Sequence, residues 1–356
     1  MKKRNCFLVF AILLVSLGAG QEVLADCKTG SNSEKPASST AANKNRLVKT
    51  TKSHYYIDVH DAYKEIKDNP KAVVLETSYG KKTSYAKGHL PRAVQMDTLE
   101  VETEENDWNI LDFDSCKKAF LEKGVTKDTP LLVYSEDPLS SARIAFVAYW
   151  LGVKDVKIVD GGLNAWKNEK LTLQKGTLKP KAQKNFGRSK PAHPEDLIST
   201  SADLVKYEKD HPKLVIASTR SWDEFVGNIS GYSYIKDTGE VKGAKYAKVS
   251  KTSSDVSYLM NSDLTMTNPE KTLKYWNKNG ITPSKEVAFY CGTGWRACPA
   301  FFIAKDNGYK KARIFDGGWY EWDRAHEKNP SEFPVQKGDP ANKKTFQIIT
   351  KPQMSY

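Results

Sequence analysis

The chain has 356 residues, a length that accommodates two domains of ordinary size. Hydrophobic residues make up 39% of it and charged residues 28%, which is typical of a soluble globular protein. The net charge of +12 comes from lysines spread along the chain. No nucleic-acid-binding motif accompanies this charge, so we expect no nucleic-acid partner.

The first 25 residues have the pattern of an export signal. Residues 2–4 are basic, and the apolar run that follows, residues 7–17, is too short to span a bilayer. Small residues favour cleavage after Ala25. We therefore expect an exported protein, periplasmic or at the cell surface. Cys27 lies just past the cleavage point, so a lipid anchor there is one possible membrane attachment, although Asp26 fits a lipidation signal poorly.

The cysteines give no sign of a disulfide framework. Four remain after cleavage, at unequal spacings: Cys27, Cys116, Cys291 and Cys298. Residues 26–49 contain almost no large apolar residue and predict a flexible tether. No His/Cys group has zinc spacing and no phosphate-binding glycine loop is present, so we expect neither a metal nor a cofactor.

Helices and strands alternate along the rest of the chain, which indicates the α/β class with helices on both faces of a parallel sheet. In the first half we predict helices at 62–68, 115–123 and 142–151, and strands at 72–75, 131–134 and 156–159. In the second half we predict helices at 201–209, at 268–278 and from about 297, and strands at 214–217 and 287–290.

The two halves are copies of each other. Residues 124–166 and 280–322 align without a gap at a constant offset of 156 residues, and Asp160-Gly161-Gly162 matches Asp316-Gly317-Gly318. A tryptophan follows each of these triplets at the same distance. We therefore predict a first domain at 50–170, a linker at 171–194, a second domain at 195–326 and a C-terminal extension at 327–356.

The second copy carries a loop suited to an anion. The loop follows the predicted strand at 287–290 and reads Cys291-Gly292-Thr293-Gly294-Trp295-Arg296. Two glycines let the backbone of the loop curve around the cysteine sulfur. Successive backbone N–H groups and the N-terminus of the following helix then point at any anion bound to that sulfur. The positive electrostatic potential of these N–H groups and of the helix N-terminus also favours the thiolate form of the cysteine over the thiol. The alternative is an ordinary strand-to-helix turn with a buried cysteine.

These features together resemble the tandem-domain rhodaneses over roughly residues 55–325. The resemblance rests on two α/β copies, a Gly88-His89-Leu90-Pro91 turn, the Cys-x-x-x-x-Arg loop, and Asp-Gly-Gly with a tryptophan beyond it. It implies two rhodanese-like domains, of which the first is inert and the second catalytic. The activity it implies is a sulfurtransferase of the thiosulfate or 3-mercaptopyruvate type.

The first copy lacks the chemistry of the second. Ser135 stands opposite Cys291, and a hydroxyl cannot hold a transferred sulfur as a persulfide. Glu136 and Asp137 would repel an anion, and Pro138 has no N–H to offer. We expect the first domain to be structural, with recognition of a partner as the alternative.

The resemblance also implies roles in the second copy. Cys291 is the nucleophile, and Arg296 and Arg220 hold a small anionic donor. The four residues Gly292, Thr293, Gly294 and Trp295 complete the binding loop, with Trp295 at the pocket mouth. A surface ion pair is the alternative for Arg220, and Ser218 stands where the family usually has an aspartate. Cys298 is a buried core residue or, alternatively, a resolving thiol.

Three functions follow from the loop. The first is sulfur transfer through a Cys291 persulfide to a thiol or cyanide acceptor. The second is a phosphatase or arsenate reductase, but those loops hold five residues between Cys and Arg, and this loop holds four. The third is a non-catalytic sulfur carrier or partner-binding module. Gly292 resembles the mercaptopyruvate type, because thiosulfate rhodaneses often have a basic residue there.

Overall fold

The computed structural model describes residues 45–351. The predicted signal peptide at 1–25, its cleavage point and Cys27 lie outside the described residues, as do residues 352–356. Among the described helices, none is both long and apolar enough to cross a membrane.

The first repeat is a five-stranded parallel sheet with helices on both faces. Its elements are α1 (Leu47–Thr50), β1 (Tyr56–Ile57), α2 (Val59–Asp68), β2 (Val73–Ser78), β3 (Ala93–Asp97), α3 (Phe113–Glu122), β4 (Pro130–Ser135), α4 (Pro138–Leu151), β5 (Asp155–Val159) and α5 (Gly162–Asn168). The strand order is β1-β5-β4-β2-β3. One apolar cluster lies under α2 and α5, and another lies under α3 and α4.

The second repeat has the same plan. Its elements are β6 (Leu197–Ile198), α6 (Ser201–Asp210), β7 (Val215–Ser218), α7 (Trp222–Phe225), β8 (Glu240–Val241), β9 (Lys245–Tyr246), α8 (Glu270–Lys278), β10 (Val287–Tyr290), α9 (Ala297–Asp306), β11 (Ala312–Phe315) and α10 (Gly318–Lys328). The parallel sheet has the order β6-β11-β10-β7-β9. The predicted α/β fold with two parallel sheets is therefore confirmed.

The two repeats share one hydrophobic core. Helix α4 packs against α9, with the rings of Phe146 and Phe301 5.0 Å apart, and a single apolar cluster runs through both. The contact is nearly symmetric: Asp316 accepts the Ile110 N–H at 2.6 Å, and Asp160 accepts the Met266 N–H at 2.7 Å. Each repeat therefore donates a backbone N–H to the aspartate of the Asp-Gly-Gly triplet in the other repeat.

Several elements begin or end away from their predicted limits. Helix α4 begins at Pro138, four residues before the predicted start, because the Asp137 carboxylate accepts the N–H groups of Leu139 and Ser140 and proline suits the first helical position. The predicted tether stops short of residue 49, since Leu47 is buried and Arg46 forms an ion pair with Asp263 at 2.9 Å.

The C-terminal extension adds a small sheet to the second repeat. Strands β12 (Val335–Lys337) and β13 (Gln347–Ile349) form an antiparallel sheet with β8 in the order β13-β12-β8. Val335 is fully buried in this sheet. The segment that leads into β8 is therefore fixed by the extension, and it is this segment that lies over the Cys291 loop.

Candidate functional site

The Cys291 loop joins β10 to α9. Cys291 is 1% exposed. The carbonyl oxygens of Cys291 and Gly292 accept the N–H groups of Trp319 at 2.8 Å and Tyr320 at 3.0 Å, at the start of α10. Within residues 45–351, the backbone N–H groups of 292–296 donate to no protein acceptor. These five N–H groups are therefore available as donors, and their binding of an anion stays a prediction.

Arg296 lines the site but is already paired with a carboxylate. Its two terminal nitrogens donate to Glu224 at 2.9 and 2.8 Å, to the Thr252 carbonyl at 2.9 Å and to the Tyr232 hydroxyl at 2.6 Å. Burial opposes ionisation of Glu224, yet the hydrogen bonds and charge of Arg296 lower its pKa to about 2. The Nε of Arg296 is buried and has no hydrogen-bond partner among residues 45–351.

Within the described part of the chain, the Arg220 side chain forms hydrogen bonds with residues of the 224–240 region and none with the Cys291 loop. Its guanidinium is fully buried and donates to the carbonyls of Gly239 at 2.6 Å and Ser230 at 2.9 Å. It also lies 3.3 Å from Glu224 and 3.5 Å from Glu240. Arg220 thus holds the 230–240 segment in place and contacts Glu224, the partner of Arg296. Its burial contradicts the alternative of a surface ion pair. Its role in donor binding stays a prediction.

Glu240 supplies a carboxylate beside Arg220, where the family pattern would place an aspartate. The Ser218 hydroxyl donates to Glu240 at 2.7 Å, and the Tyr290 hydroxyl donates to the same carboxylate. Burial raises the pKa of Glu240, while Arg220 and these hydroxyls oppose that shift. The departure at Ser218 is therefore compensated by a residue of the 230–240 segment.

Tyr232 covers the Cys291 loop. A Cβ added to Gly292 would lie 2.4 Å from two ring carbons of Tyr232, so the ring rests directly on this glycine. The ring also lies 5.5 Å from the Arg296 guanidinium, and its neighbour Tyr234 packs 5.3 Å away. Only glycine fits at position 292 with Tyr232 in this place.

Both repeats line the cavity beside this loop. The cavity has a volume of about 360 Å³. Five of its lining residues are aromatic, and two of those come from the first repeat: Tyr79, Trp108, Tyr232, Tyr234 and Trp295. The rest of the lining consists of Glu102, Leu139, Ser253, Thr293 and Arg296. Trp295 is half-buried in this wall, as expected for a residue at the pocket mouth.

The first repeat contributes a buried carboxylate to the cavity wall. Glu102 is fully buried, accepts the Trp295 indole N–H at 2.7 Å and forms an ion pair with Arg143 at 2.8 Å. Burial raises the pKa of Glu102 to about 7, although Arg143 opposes the shift. A buried carboxyl group with a raised pKa therefore lies against the residue that precedes Arg296.

The matching loop of the first repeat is closed. Asp137 occupies the N-terminus of α4, and the Ser135 hydroxyl donates to the Asp137 carbonyl. The space beside Ser135 has a volume of only about 10 Å³ and is lined partly by Leu264 and Met266 of the second repeat. No anion of the size of thiosulfate fits there, which favours the structural role expected for this repeat.

The remaining residues singled out from sequence lie in the core. Cys298 is fully buried and its thiol donates to the Gly294 carbonyl at 3.4 Å. Burial raises the pKa of Cys298, which favours the core interpretation over a resolving thiol. Trp319 and Trp322 are also buried.

One group among the described residues has ligand atoms close enough to share a cation: His193, Glu195 and Asp196, all within 4.8 Å. Asp196 already accepts the Tyr149 hydroxyl at 2.7 Å and forms an ion pair with Lys305 at 2.8 Å. This group is outside the cavity and carries no part of the site.

Sequence reasoning missed Glu224, Tyr232 and Glu102. For Glu224 a signal exists, because Ser221 and Glu224 have the spacing of a helix capping box, which the structure shows at α7. Tyr232 lies between residues 218 and 242, upstream of the gapless alignment, where the second copy is longer than the first. This extra length is a signal in the sequence. Nothing local identifies Glu102, whose partners lie in another element and another repeat.

The comparisons with known proteins agree with this architecture. A family model described as "Rhodanese-like domain" matches residues 58–169 and 201–325. Thiosulfate sulfurtransferase YnjE of Escherichia coli (strain K12) is 37% identical over 258 residues, which are 72% of this chain and 58% of YnjE. The chain thus covers little more than half of the length of YnjE. The crystal structure of YnjE matches with a TM-score of 0.71 and 33% identity, covering 78% of this chain and 67% of that chain.

Two further proteins differ in their named substrates. A Pseudomonas aeruginosa protein named "Probable 3-mercaptopyruvate sulfurtransferase" is 26% identical over 203 residues, 56% of this chain and 66% of that protein. The anaerobic ergothioneine biosynthesis enzyme of Chlorobium limicola, solved with its natural substrate trimethyl histidine, matches with a TM-score of 0.74 and 29% identity. The match covers 81% of this chain and 71% of that enzyme.

Proposed function

Because the chain belongs to the rhodanese-like family, we propose that it is a sulfurtransferase acting through a persulfide on Cys291. It takes a sulfane sulfur from thiosulfate or 3-mercaptopyruvate and passes it to a thiophilic acceptor. The observation that carries the proposal is that the five backbone N–H groups of residues 292–296, directly after Cys291, have no acceptor within the described chain. Three residues of the same segment, Thr293, Trp295 and Arg296, line the cavity. The other two described cysteines, Cys116 and Cys298, are core residues.

The reaction has two steps. The Cys291 thiolate attacks the outer sulfur of the donor, and the bond from that sulfur to the rest of the donor breaks. Sulfite leaves from thiosulfate, and pyruvate forms from 3-mercaptopyruvate after its carbanion takes a proton. An acceptor thiolate or cyanide then attacks the outer sulfur of the persulfide, and the Cys291 thiolate is the leaving group. No external oxidant or reductant is required.

The loop donors stabilise negative charge on the outer sulfur of the persulfide formed in the first step and on the Cys291 thiolate released in the second, because they are fixed before the charge develops. For the donor anion we assign the Arg296 Nε, which is free, together with these N–H groups. The Glu224 carboxylate neutralises the rest of the Arg296 charge. The site therefore offers directed hydrogen bonds more than net positive charge.

The test is a side-by-side measurement of steady-state rates with thiosulfate and 3-mercaptopyruvate, using cyanide and a small thiol as acceptors. Turnover with either donor that is lost in Cys291→Ser supports the proposal. A persulfide that forms but is passed to no small acceptor would indicate a sulfur carrier instead. Phosphate-ester hydrolysis without sulfur uptake would indicate a phosphatase and refute sulfur transfer.

A second candidate acceptor is an aromatic cation. The observation that favours it is the aromatic cavity wall, since aromatic faces attract quaternary ammonium groups. The Chlorobium limicola enzyme binds trimethyl histidine, which is such a molecule. In this reaction the persulfide sulfur replaces a ring hydrogen, so the carbon is oxidised as the sulfur is reduced, and Cys291 is released as the thiol. Formation of the ring thione from trimethyl histidine by the sulfur-loaded protein tests it, and no product rejects it.

A further inference from the structure

A buried cluster of charged side chains joins the two repeats behind the Cys291 loop. Arg143, on α4 of the first repeat, is fully buried. Its Nη1 lies 2.5 Å from Asp316 of the second repeat, and its Nε lies 2.8 Å from Glu102. The second oxygen of Asp316 accepts the Ile110 N–H at 2.6 Å. Arg143 therefore links a carboxylate of its own repeat to a carboxylate of the second repeat, and Asp316 is held by two groups of the first repeat.

This cluster packs directly against the loop. Gly294 has a φ of +79°, and a Cβ added there would lie 2.6 Å from Asp316 Oδ1 and 2.7 Å from Arg143 Nη1. The next residue, Trp295, donates its indole N–H to Glu102 at 2.7 Å. Two consecutive residues of the Cys291 loop are thus held by the same three charged side chains.

The internal symmetry of the chain gives an independent argument. Asp160 makes the corresponding interface contact in the first repeat, where it accepts the Met266 N–H, but its Oδ2 is buried without a partner. The residue at the offset of 156 from Arg143 is Pro299, so Arg143 has no counterpart in the second copy. The charge of Arg46 acts on Asp160, but Arg46 forms its ion pair with Asp263. Among the described residues, an arginine therefore forms an ion pair with Asp316 and none does so with Asp160.

We propose that Arg143 of the first repeat is a positioning residue for sulfur transfer, which acts through Asp316 and Glu102 to hold the Cys291 loop in its curled form. The proposal rests on the proposed function. A buried guanidinium with two carboxylates tolerates few alternative arrangements, because separating any pair would leave a charge without a partner in a medium of low polarity. The repeat without a nucleophile thereby contributes to the reaction.

The test compares the same substitution at the two symmetric aspartates. In Asp316→Asn we expect the rate of sulfur loading from donor to Cys291 to fall about 10- to 100-fold, because small displacements of aligned groups have effects of that size. Arg143→Met should have a similar effect, and Arg143→Lys, which keeps a charge near Asp316, should recover part of the rate. In Asp160→Asn, the matched control, the rate should stay within about twofold of the wild type.

A second measurement separates positioning from simple loss of stability. Alkylation of Cys291 by iodoacetamide is followed against pH in the folded proteins, as judged by thermal unfolding. We expect the dependence of alkylation on pH to differ from the wild type in Asp316→Asn and Arg143→Lys, because the loop around Cys291 is displaced, and to match it in Asp160→Asn. Equal profiles and equal loading rates in Asp316→Asn, Arg143→Lys and the wild type would overturn the proposal. Alkylation needs no sulfur donor, so an absence of persulfide in the wild type would reject the proposed function while the alkylation comparison still decides the role of Arg143.

Discussion

Gly292→Ala tests whether Tyr232 rests on the Cys291 loop. The new methyl group would lie 2.4 Å from two ring carbons of Tyr232 and 2.5 Å from its hydroxyl. The ring cannot move away freely, because its hydroxyl accepts a 2.6 Å hydrogen bond from Arg296. Either this bond or the loop backbone must give way.

The size of the effect follows from those two alternatives. Forcing a methyl group into a filled space costs about 1–3 kcal/mol, and losing a hydrogen bond to a charged group costs about 1.5–3 kcal/mol. We therefore expect Gly292→Ala to lower the free energy of unfolding by about 1–3 kcal/mol. In a Tyr232→Ala background the methyl group has room, so the same substitution should cost little.

The assay is a double-mutant cycle on the free energy of unfolding in urea. The predicted coupling between Gly292→Ala and Tyr232→Ala is about 1–3 kcal/mol, with the double variant more stable than the sum of the single effects. Gly294→Ala is the control, since its methyl group would meet Asp316 and Arg143 and should cost the same in both backgrounds. Additive effects of Gly292→Ala and Tyr232→Ala would refute this view of the site.

Three further predictions concern the supporting structure. Arg220→Ala should lower the free energy of unfolding by about 3–5 kcal/mol, because it leaves Glu240 without its buried cation; a change in urea unfolding below about 1 kcal/mol, as for a surface pair, would contradict this. Ser135→Cys should take up no sulfur from donor in mass spectra, because the space there is about 10 Å³; uptake as fast as at Cys291 would show that the first loop is open. Burial raises the pKa of Asp160 to about 7, so its contribution to stability is complete at low pH and is lost as the pH rises through 7. From pH 5 to pH 8, the free energy of unfolding of Asp160→Asn in urea should therefore increase by about 3 kcal/mol relative to that of the wild type. A difference between the two proteins that does not change with pH would contradict the raised pKa.

Much of the fold was predictable because its signals are local and repeated. The apolar run at 287–290 and the 156-residue offset fix a strand and its copy. The predicted ends of elements were wrong where a side chain fixes the backbone. Asp137 caps α4 and moves its start toward the N-terminus, and Leu47 packs into the core. The packing of a residue such as Leu47 depends on contacts with residues far away in the sequence, and a local sequence pattern does not contain this information.

The site was predictable only where it is one continuous segment. The N–H groups that follow Cys291 have no acceptor among residues 45–351. Arg220 lies buried between Glu224 and Glu240, two residues outside this loop. By resemblance, Gly292 indicates a donor of the mercaptopyruvate type. The structure adds a steric reason for glycine at this position, because the ring of Tyr232 lies against it. The contribution of Arg143 and Glu102 arises from the contact between repeats, so sequence alone did not show it.

The most direct test of the account is the mass of the Cys291 peptide after the protein is treated with thiosulfate or 3-mercaptopyruvate. We predict a gain of one sulfur atom on Cys291 with at least one donor, its removal by cyanide, and no gain in Cys291→Ser. An unchanged mass with both donors, or an equal gain in Cys291→Ser, would contradict sulfur transfer through this cysteine.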